Sequence, residues 1–286
     1  MAQDDYDLAV VTDPISGPAA LGSAEVEAFL QSLDSLESPS AALKGQVAKN
    51  AQTAAVILAG GSGERFGNAG GKQLFDLLGK PVMSWSAEAF DAVADVGLIV
   101  IVCPDERREE FCRRAIDPYP FVTPIEFAPA GFIRQESSMN GIAAVPPEFK
   151  YIAVHDGARP LITVDMINHA INVLKGDMDA DGIVVGHPSI DTLKVVNERS
   201  IAGTPDRHMF WVAQTPQIFH ADILRRAYTT AMYEGFVGTD DSSLVERMGC
   251  HVRMLDGPRD NIKVTVPEDV GPVLAALTSR LRAREG

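Results

Sequence analysis

The chain has 286 residues, 46% of them apolar, and a formal net charge of −14. That is enough apolar material to bury a sizeable core, as one large α/β domain or two small ones. The acidic balance argues against general attraction to nucleic acid or anionic lipid, and no stretch reaches the roughly 18–20 apolar residues that a bilayer span needs.

Residues 1–50 carry eight acids against two bases, and "DSLESPSAALKGQ" has the composition of a linker. Within them "SAEVEAFLQSLDSL" reads as one amphipathic helix from Ser23, with Val26, Phe29, Leu30 and Leu33 on one face. The segment is expected to be an acidic extension, partly disordered or a single helix, ahead of a domain over residues 51–286. The opening "MAQDDYDLAVV" is acidic where a secretory signal needs a basic region, so the expected compartment is the cytoplasm. Cys103, Cys112 and Cys250 are odd in number and lack CxxC spacing, which reads as reduced thiols without a disulfide framework or zinc site.

From residue 51 short apolar runs alternate with helical patterns. "AAVILA", "GLIVIVC", "YIAVHD" and "DGIVVG" read as strands buried on both faces, and "VDMINHAINVLK" and "ADILRRAYTTAMYEG" as helices. The alternation predicts an α/β fold with a mostly parallel sheet and helices on both sides. Ligands in such sheets sit beyond the carboxyl ends of the strands, where "AGGSGER" and "HDGARP" both fall.

The glycine-rich stretch "AGGSGERFGNAGGKQ" follows the first strand. It misses the dinucleotide fingerprint G-x-G-x-x-G by one residue, since Phe66 stands at the third glycine. It also misses the Walker A loop: Gly67 is one residue too close to Gly71-Lys72, and Gln73 stands where Ser or Thr would be. What remains is a glycine turn whose backbone amides can approach an anion, with Arg65 and Lys72 to neutralise it. That pattern suits a triphosphate held without either standard motif.

In "HDGARP" a strand ends in an acid, followed by Gly and then Arg. This places Asp156 and Arg159 at the cleft mouth, the first able to accept from hydroxyls and the second to pair with phosphate. His155 has no partner at metal-ligand spacing and reads as structural. Asp240 and Asp241 in "TDDSS" are adjacent acids at a helix start that suit the helix dipole, so no metal ligands are predicted. Residues 187–219 alternate apolar and polar residues around turn signals at "NERS" and "AGTP", the pattern of an extended hairpin.

The ordered set "LAGGSGERFG", "GKQL", "HDGARP", "DTLK", "QTPQIF", "TDDSSLVE" and "DNIKVT" resembles the 2-C-methyl-D-erythritol 4-phosphate cytidylyltransferase family over about residues 54–275. The resemblance implies a doubly wound, Rossmann-like sheet with an extended β-hairpin arm at about 187–210. It implies transfer of CMP from CTP to a polyol phosphate with release of pyrophosphate, in non-mevalonate isoprenoid biosynthesis. Magnesium, bound mainly through the CTP phosphates, and a homodimer joined through the arm are implied with it.

By the same resemblance Arg65 and Lys72 contact the CTP phosphates, and Lys263 is a third cation near the reacting phosphate. Gly61 and Gly63 admit the triphosphate to the backbone. Cytosine lies against the backbone near Ala59 and Gly131, with the Ser137 hydroxyl as a polar contact, although Ser137 also reads as a helix N-cap. Asp156 contacts the polyol or the metal-bound phosphates, Arg159 shapes that site, and Thr192 and Arg207 bind the polyol phosphate, Arg207 from the partner subunit.

Three positions depart from the family pattern. Gly71 replaces a usual Pro and is expected to loosen the loop, Ile190 replaces a frequent Arg, and Gly157 replaces a more common Ala. Two other readings compete: cytidylylation of ribitol 5-phosphate by the sister enzymes, and an inactive scaffold that binds a partner through residues 1–50.

Overall fold

The computed structural model describes residues 50–61, 63, 66–67 and 71–285. The helix expected from Ser23, the acidic extension up to residue 49 and Arg65 lie outside the described residues.

The first strand, β1 (Thr53–Leu58), is buried along its whole length. Its alternating side chains feed two different cores, as the two-residue period of a strand requires. Ala55 and Ile57 join one, with Met83, Ala87 and Phe90 of helix α1 (Val82–Asp91) and Ile167, Ala170, Ile171 and Leu174 of α3 (Val164–Gly176). Ala54, Val56 and Leu58 join the other, with Ile142 of α2 (Arg134–Ala143), Leu224, Ala227 and Tyr228 of α4 (Ala221–Glu234), and Leu244 and Val245 of α5 (Asp241–Arg247). Helices therefore cover both faces of the sheet, and the continuous apolar strand runs are explained.

Two short strands, β2 (Asp76–Leu77) and β3 (Lys80–Pro81), form a small separate ladder. The main sheet adds β4 (Val96–Cys103), β5 (Ile125–Pro129), β6 (Tyr151–Asp156), β7 (Gly182–Pro188), β10 (Trp211–His220) and β11 (Val252–Asp256). The strand order is β11-β7-β10-β6-β1-β4-β5. All pairings are parallel except those of β10, which runs antiparallel to both β6 and β7. The chain winds outward from β1 through β4 to β5, then returns to place β6 on the opposite flank of β1. That reversal opens a crevice beyond the carboxyl ends of β1 and β6.

The antiparallel strand has a local cause. After β7 the chain runs out along an exposed arm, reverses in a small ladder of β8 (Val195–Asn197) and β9 (Ser200–Gly203), and returns as β10 beside the strand it left. The reversal uses Glu198 and Arg199, both at positive φ (47° and 70°), as a tight two-residue hairpin turn demands. Val195, Val196, Ile201, Met209 and Trp211 are exposed along this arm.

A third apolar cluster unites Phe66, Leu77, Val82, Leu161 and Val264 with Val273 and Leu277 of the C-terminal helix α6 (Val270–Glu285). Phe66 packs edge-on to Phe75 with ring centroids 5.1 Å apart. The residue that spoils the dinucleotide fingerprint is thus a buried anchor beneath the glycine-rich segment.

Helix α2 lies so close to the sheet that a Cβ at Gly141 would come within 2.4 Å of Val56 Cγ1 and 2.6 Å of Val102 Cγ2. Gly141→Ala is expected to destabilise the fold by about 1–3 kcal/mol through overpacking, despite the roughly 1 kcal/mol that Ala offers in helix propensity. Urea denaturation of the two proteins reads this directly; equal midpoints would mean that α2 shifts outward without cost.

Candidate active site

Three loops meet at the carboxyl edge of the sheet. The Ala59 N–H donates to Val102 O at the end of β4, the Ala130 N–H to Cys103 O, and the Gly157 N–H to Leu58 O. The segments after β1, β5 and β6 are therefore stitched to neighbouring strand ends. Gly60 is pressed against Ala130, since a Cβ there would lie 2.4 Å from Ala130 Cβ and 3.6 Å from Ser137 Oγ. Ala59, Gly131 and Ser137, predicted to surround the base, are thus neighbouring parts of one wall.

Ser137 is not a helix N-cap. It sits inside the first turn of α2, whose N-cap is Ile133 without a side-chain cap bond. The Ser137 hydroxyl accepts from Gly131 N–H at 3.0 Å and donates to Ile133 O at 3.2 Å. Its role in the free chain is to fix the loop that precedes its own helix.

Gly63 lies against Gly71 and Lys72. A Cβ at Gly63, where φ is +71°, would lie 3.1 Å from both Gly71 Cα and Lys72 N. Gly71 adopts φ 70° and ψ 150°, a region that is essentially glycine's alone and that proline's fixed φ near −65° excludes. The family's proline could not follow this path. Lys72 opens a short 3₁₀ turn, Lys72–Leu74, and is buried together with Gln73 and Leu74. Arg107, in the 3₁₀ turn Asp105–Arg107 that follows β4, reaches the same place: its Nη1 would lie 3.1 Å from a Cβ on Gly71, and Glu110 holds its Nε at 2.9 Å.

The centre of charge is Asp156. Its Oδ2 lies 2.7 Å from Lys263 Nζ and 3.7 Å from Arg159 Nε, and its Oδ1 lies 3.5 Å from Arg134 Nε. Burial opposes ionisation of this carboxyl, but the Lys263, Arg134 and Arg159 charges outweigh it and hold the group well below the usual carboxylate range. Lys263 and Arg159 are brought together by backbone: Val264 N–H donates to Ala158 O at 2.8 Å, and Arg159 Nη1 donates to Asn261 O at 2.8 Å. The buried Asn261 amide donates in turn to Thr215 O and Gln214 Oε1 on β10. The "DNIKVT", "HDGARP" and "QTPQIF" segments, distant in sequence, form one unit around Asp156.

His155 is structural in this arrangement. It is fully buried against Phe90. Thr215 Oγ1 accepts from Asp156 N–H at 3.0 Å, so its own proton points to His155 Nδ1 at 3.1 Å, and Nε2–H faces Arg159 O at 3.4 Å. Burial pushes the imidazole pKa down to about 3 against an ordinary value of 6.5, the attraction of Asp156 notwithstanding. The unfolded chain binds this proton below about pH 6.5 and the folded chain does not, so the stability it provides is complete above that pH and is lost as pH falls toward 3. Between pH 7 and pH 5 the expected loss is about 2 kcal/mol. Urea midpoints at the two pH values check it; His155→Gln should flatten the dependence, and an unchanged slope would contradict the assignment.

One site residue escaped the sequence reading. Arg134 opens α2 and donates through Nη2 to Asp241 Oδ2 at 2.7 Å, while Nε faces Asp156. Asp241 is fully buried and also accepts from Tyr228 Oη at 2.5 Å. The acidic pair in "TDDSS" thus divides its work. Asp240 caps α5 by accepting from Ser243 N–H, and Asp241, instead of merely facing the helix dipole, anchors an arginine of the cleft.

Thr192 and Arg207 are exposed on the arm, and the Arg207 Nη1 donates to Ile190 O at 3.2 Å. A single chain brings Ala59, Gly131 and Ser137 together, Gly61 and Gly63 against Gln73, Gly71 and Lys72, and Asp156 together with Arg159 and Lys263, with Arg134 at the start of α2 linking the base wall to Asp156, whereas Thr192 and Arg207 lie on the exposed arm. Among the described residues there is no group of three or more His, Cys, Asp or Glu side chains able to cage a metal ion. Asp156 is surrounded by three cations, so its carboxylate is already compensated by protein groups.

The model of the family described as 2-C-methyl-D-erythritol 4-phosphate cytidylyltransferase matches residues 53–279. A protein of that name from Caldanaerobacter subterraneus is 39% identical over 217 residues, covering 76% of this chain and 94% of the relative. One from Symbiobacterium thermophilum is 41% identical over 215 residues, covering 75% and 88%. The fold also matches the crystal structure of 4-diphosphocytidyl-2C-methyl-D-erythritol synthase from Anaerococcus prevotii, with a TM-score of 0.70 at 24% identity over 80% of this chain and 100% of that one. Family model, relatives and fold agree with the residues gathered at the crevice: this chain belongs to the 2-C-methyl-D-erythritol 4-phosphate cytidylyltransferase family.

Proposed function

We propose that the chain transfers CMP from CTP to 2-C-methyl-D-erythritol 4-phosphate, giving 4-diphosphocytidyl-2-C-methyl-D-erythritol and pyrophosphate, as a step of non-mevalonate isoprenoid biosynthesis. The observation that carries the reading is the Lys263–Asp156–Arg159 cluster at the end of β6, beside the end of β1 from which the glycine turn leads to Lys72, at the switch point of a doubly wound sheet. The names of the relatives favour methylerythritol over ribitol 5-phosphate as acceptor.

The chemistry follows from charge. A phosphate oxygen of the acceptor attacks the α-phosphorus of CTP, the bond from that phosphorus to the bridging oxygen breaks, and pyrophosphate leaves with the electron pair. Two polyanions must meet and negative charge grows on a five-coordinate phosphorus, so the work is positioning and neutralisation rather than covalent catalysis. Lys72 and Arg65 are assigned to the triphosphate and Lys263 to the reacting phosphate. Asp156 accepts from acceptor hydroxyls, Arg159 holds its flank, and the backbone at Ala59 and Gly131 with Ser137 limits the base pocket to a pyrimidine. Magnesium, carried on the CTP phosphates, would supply further neutralisation of the leaving pyrophosphate. No helix among the described residues is long and apolar enough to cross a membrane; the substrates are water-soluble phosphates, and we place the reaction in the cytoplasm. Phosphorus-31 NMR of CTP, acceptor, magnesium and enzyme tests the reading: a new diphosphate diester with stoichiometric pyrophosphate supports it, and unchanged spectra refute it.

The exposed apolar arm and the position of Arg207 fit a homodimer in which each arm completes the partner's site. Mixing Lys72→Ala and Arg207→Ala proteins under exchange conditions should then restore activity to about one quarter of wild type, because half of the dimers are mixed and each has one complete site. No recovery in a sample shown to contain mixed dimers would mean that Arg207 acts within its own chain.

A further inference from the structure

Lys263 has two claims on it. It is paired with Asp156 at 2.7 Å, yet the proposed reaction needs its charge on a phosphate. When a phosphate draws Lys263 away, the carboxylate must keep other partners or swing after the lysine. Arg159 Nε faces the same oxygen, Oδ2, at 3.7 Å and has no hydrogen-bond partner of its own. Arg134 faces the other oxygen, Oδ1. It differs from the other two cations in being paired with a second acid, because Asp241 on α5, itself held by Tyr228 on α4, grips its Nη2, whereas Arg159 is anchored only on the Asn261 carbonyl.

We propose that Arg134 is a positioning residue that holds Asp156 in place from the side opposite Lys263, so that Lys263 can exchange the carboxylate for the acceptor phosphate without Asp156 following it. The charges support this division. Asp241 and Asp156 together face three cations, so the cluster keeps one net positive charge, and Arg134 is the cation shared by both acids. Without Arg134, Asp156 turns both oxygens to Lys263 and Arg159 and withdraws the lysine from the phosphate. The loss falls on the acceptor, because Arg134 acts through Asp156 and Lys263, while the nearby contacts assigned to CTP are the Gly131 backbone and the Ser137 hydroxyl, whose bonds to Gly131 N–H and Ile133 O do not involve the Arg134 side chain. The inference rests on the proposed function for the identity of the acceptor, but not for the geometry.

Arg134→Gln alone leaves the buried Asp241 uncompensated and can fail to fold for that reason. The informative protein is the double variant Arg134→Gln/Asp241→Asn, in which the buried pair becomes neutral and Tyr228 keeps an acceptor. It is compared with wild type and with Arg134→Lys in steady-state kinetics and in calorimetric titration of 2-C-methyl-D-erythritol 4-phosphate alone. The expected result for the double variant is a melting temperature near wild type, a KM for the acceptor raised about tenfold, a KM for CTP unchanged, and partial rescue of the acceptor KM in Arg134→Lys. A folded double variant with wild-type acceptor KM, or with equal losses toward both substrates, overturns the inference. If wild type binds the acceptor without turning it over, the proposed function fails while the titration still decides the role of Arg134; if it neither binds nor turns over the acceptor, both fall.

Discussion

Lys72→Ala is expected to lower turnover about 10²–10³-fold while leaving the melting temperature near that of wild type. The lysine is buried at the start of the 3₁₀ turn that closes the glycine-rich segment, with its backbone within van der Waals reach of Gly63. A cation in that position is already oriented and partly stripped of water, so it can meet developing charge without reorganising at the moment of reaction. Its replacement removes an interaction that strengthens as the phosphorus becomes five-coordinate, and the deficit should appear mainly in kcat. Lys72→Arg, which keeps the charge on a larger head, should recover only part of the loss in so tight a turn. Near wild-type turnover in Lys72→Ala would remove the lysine from the chemistry and leave the glycine turn without its main cation among the described residues.

The largest stability effect is expected at Asp241. Its side chain is fully buried, pairs with Arg134 at 2.7 Å and accepts from Tyr228 Oη. Asp241→Ala takes the acceptor from Tyr228 and leaves Arg134 only the more distant Asp156, at 3.5 Å. The guanidinium loses the acid that compensates its desolvation, and the phenol loses its acceptor inside the core formed by α4 and α5. Breaking a buried pair from one side costs about 3–5 kcal/mol. Denaturant midpoints and m-values for wild type and Asp241→Ala measure the change. A loss below about 1 kcal/mol would class the pair with solvent-exposed bridges and remove the rigid backing proposed for Arg134.

The sequence made the layered fold legible because its strands are unusually pure. "AAVIL", "GLIVIVC" and "YIAVHD" have no polar interruption before their last residues, and their shortness and β-branched content favour strands buried on both faces over buried helix segments. That the Gly-rich turn and "HDGARP" follow neighbouring strand ends was legible because strand ends in a parallel sheet point to one edge. Less legible was anything decided by contacts between distant segments. Arg134 and Asp241 are 107 residues apart, and nothing local in "RQESS" or "TDDSS" announces that one holds the other. Phe66 read as a failed glycine because its burial depends on Leu161, Val264 and α6, all contributed later in the chain. Ser137 read as a possible N-cap because its residue type favours caps, whereas helix α2 begins three residues earlier, at Arg134. The path of Gly71 was legible only as freedom; its value, φ 70° with ψ 150°, is set by the return of the chain against Gly63.

The central claim is the pairing of CTP with a methylerythritol phosphate acceptor in this crevice. The most direct test is pyrophosphate release by the purified chain with magnesium, crossing CTP, UTP and ATP against 2-C-methyl-D-erythritol 4-phosphate and ribitol 5-phosphate. Release confined to CTP with the first acceptor is the predicted result. Release with ribitol 5-phosphate in its place, or silence across every pairing, would contradict it.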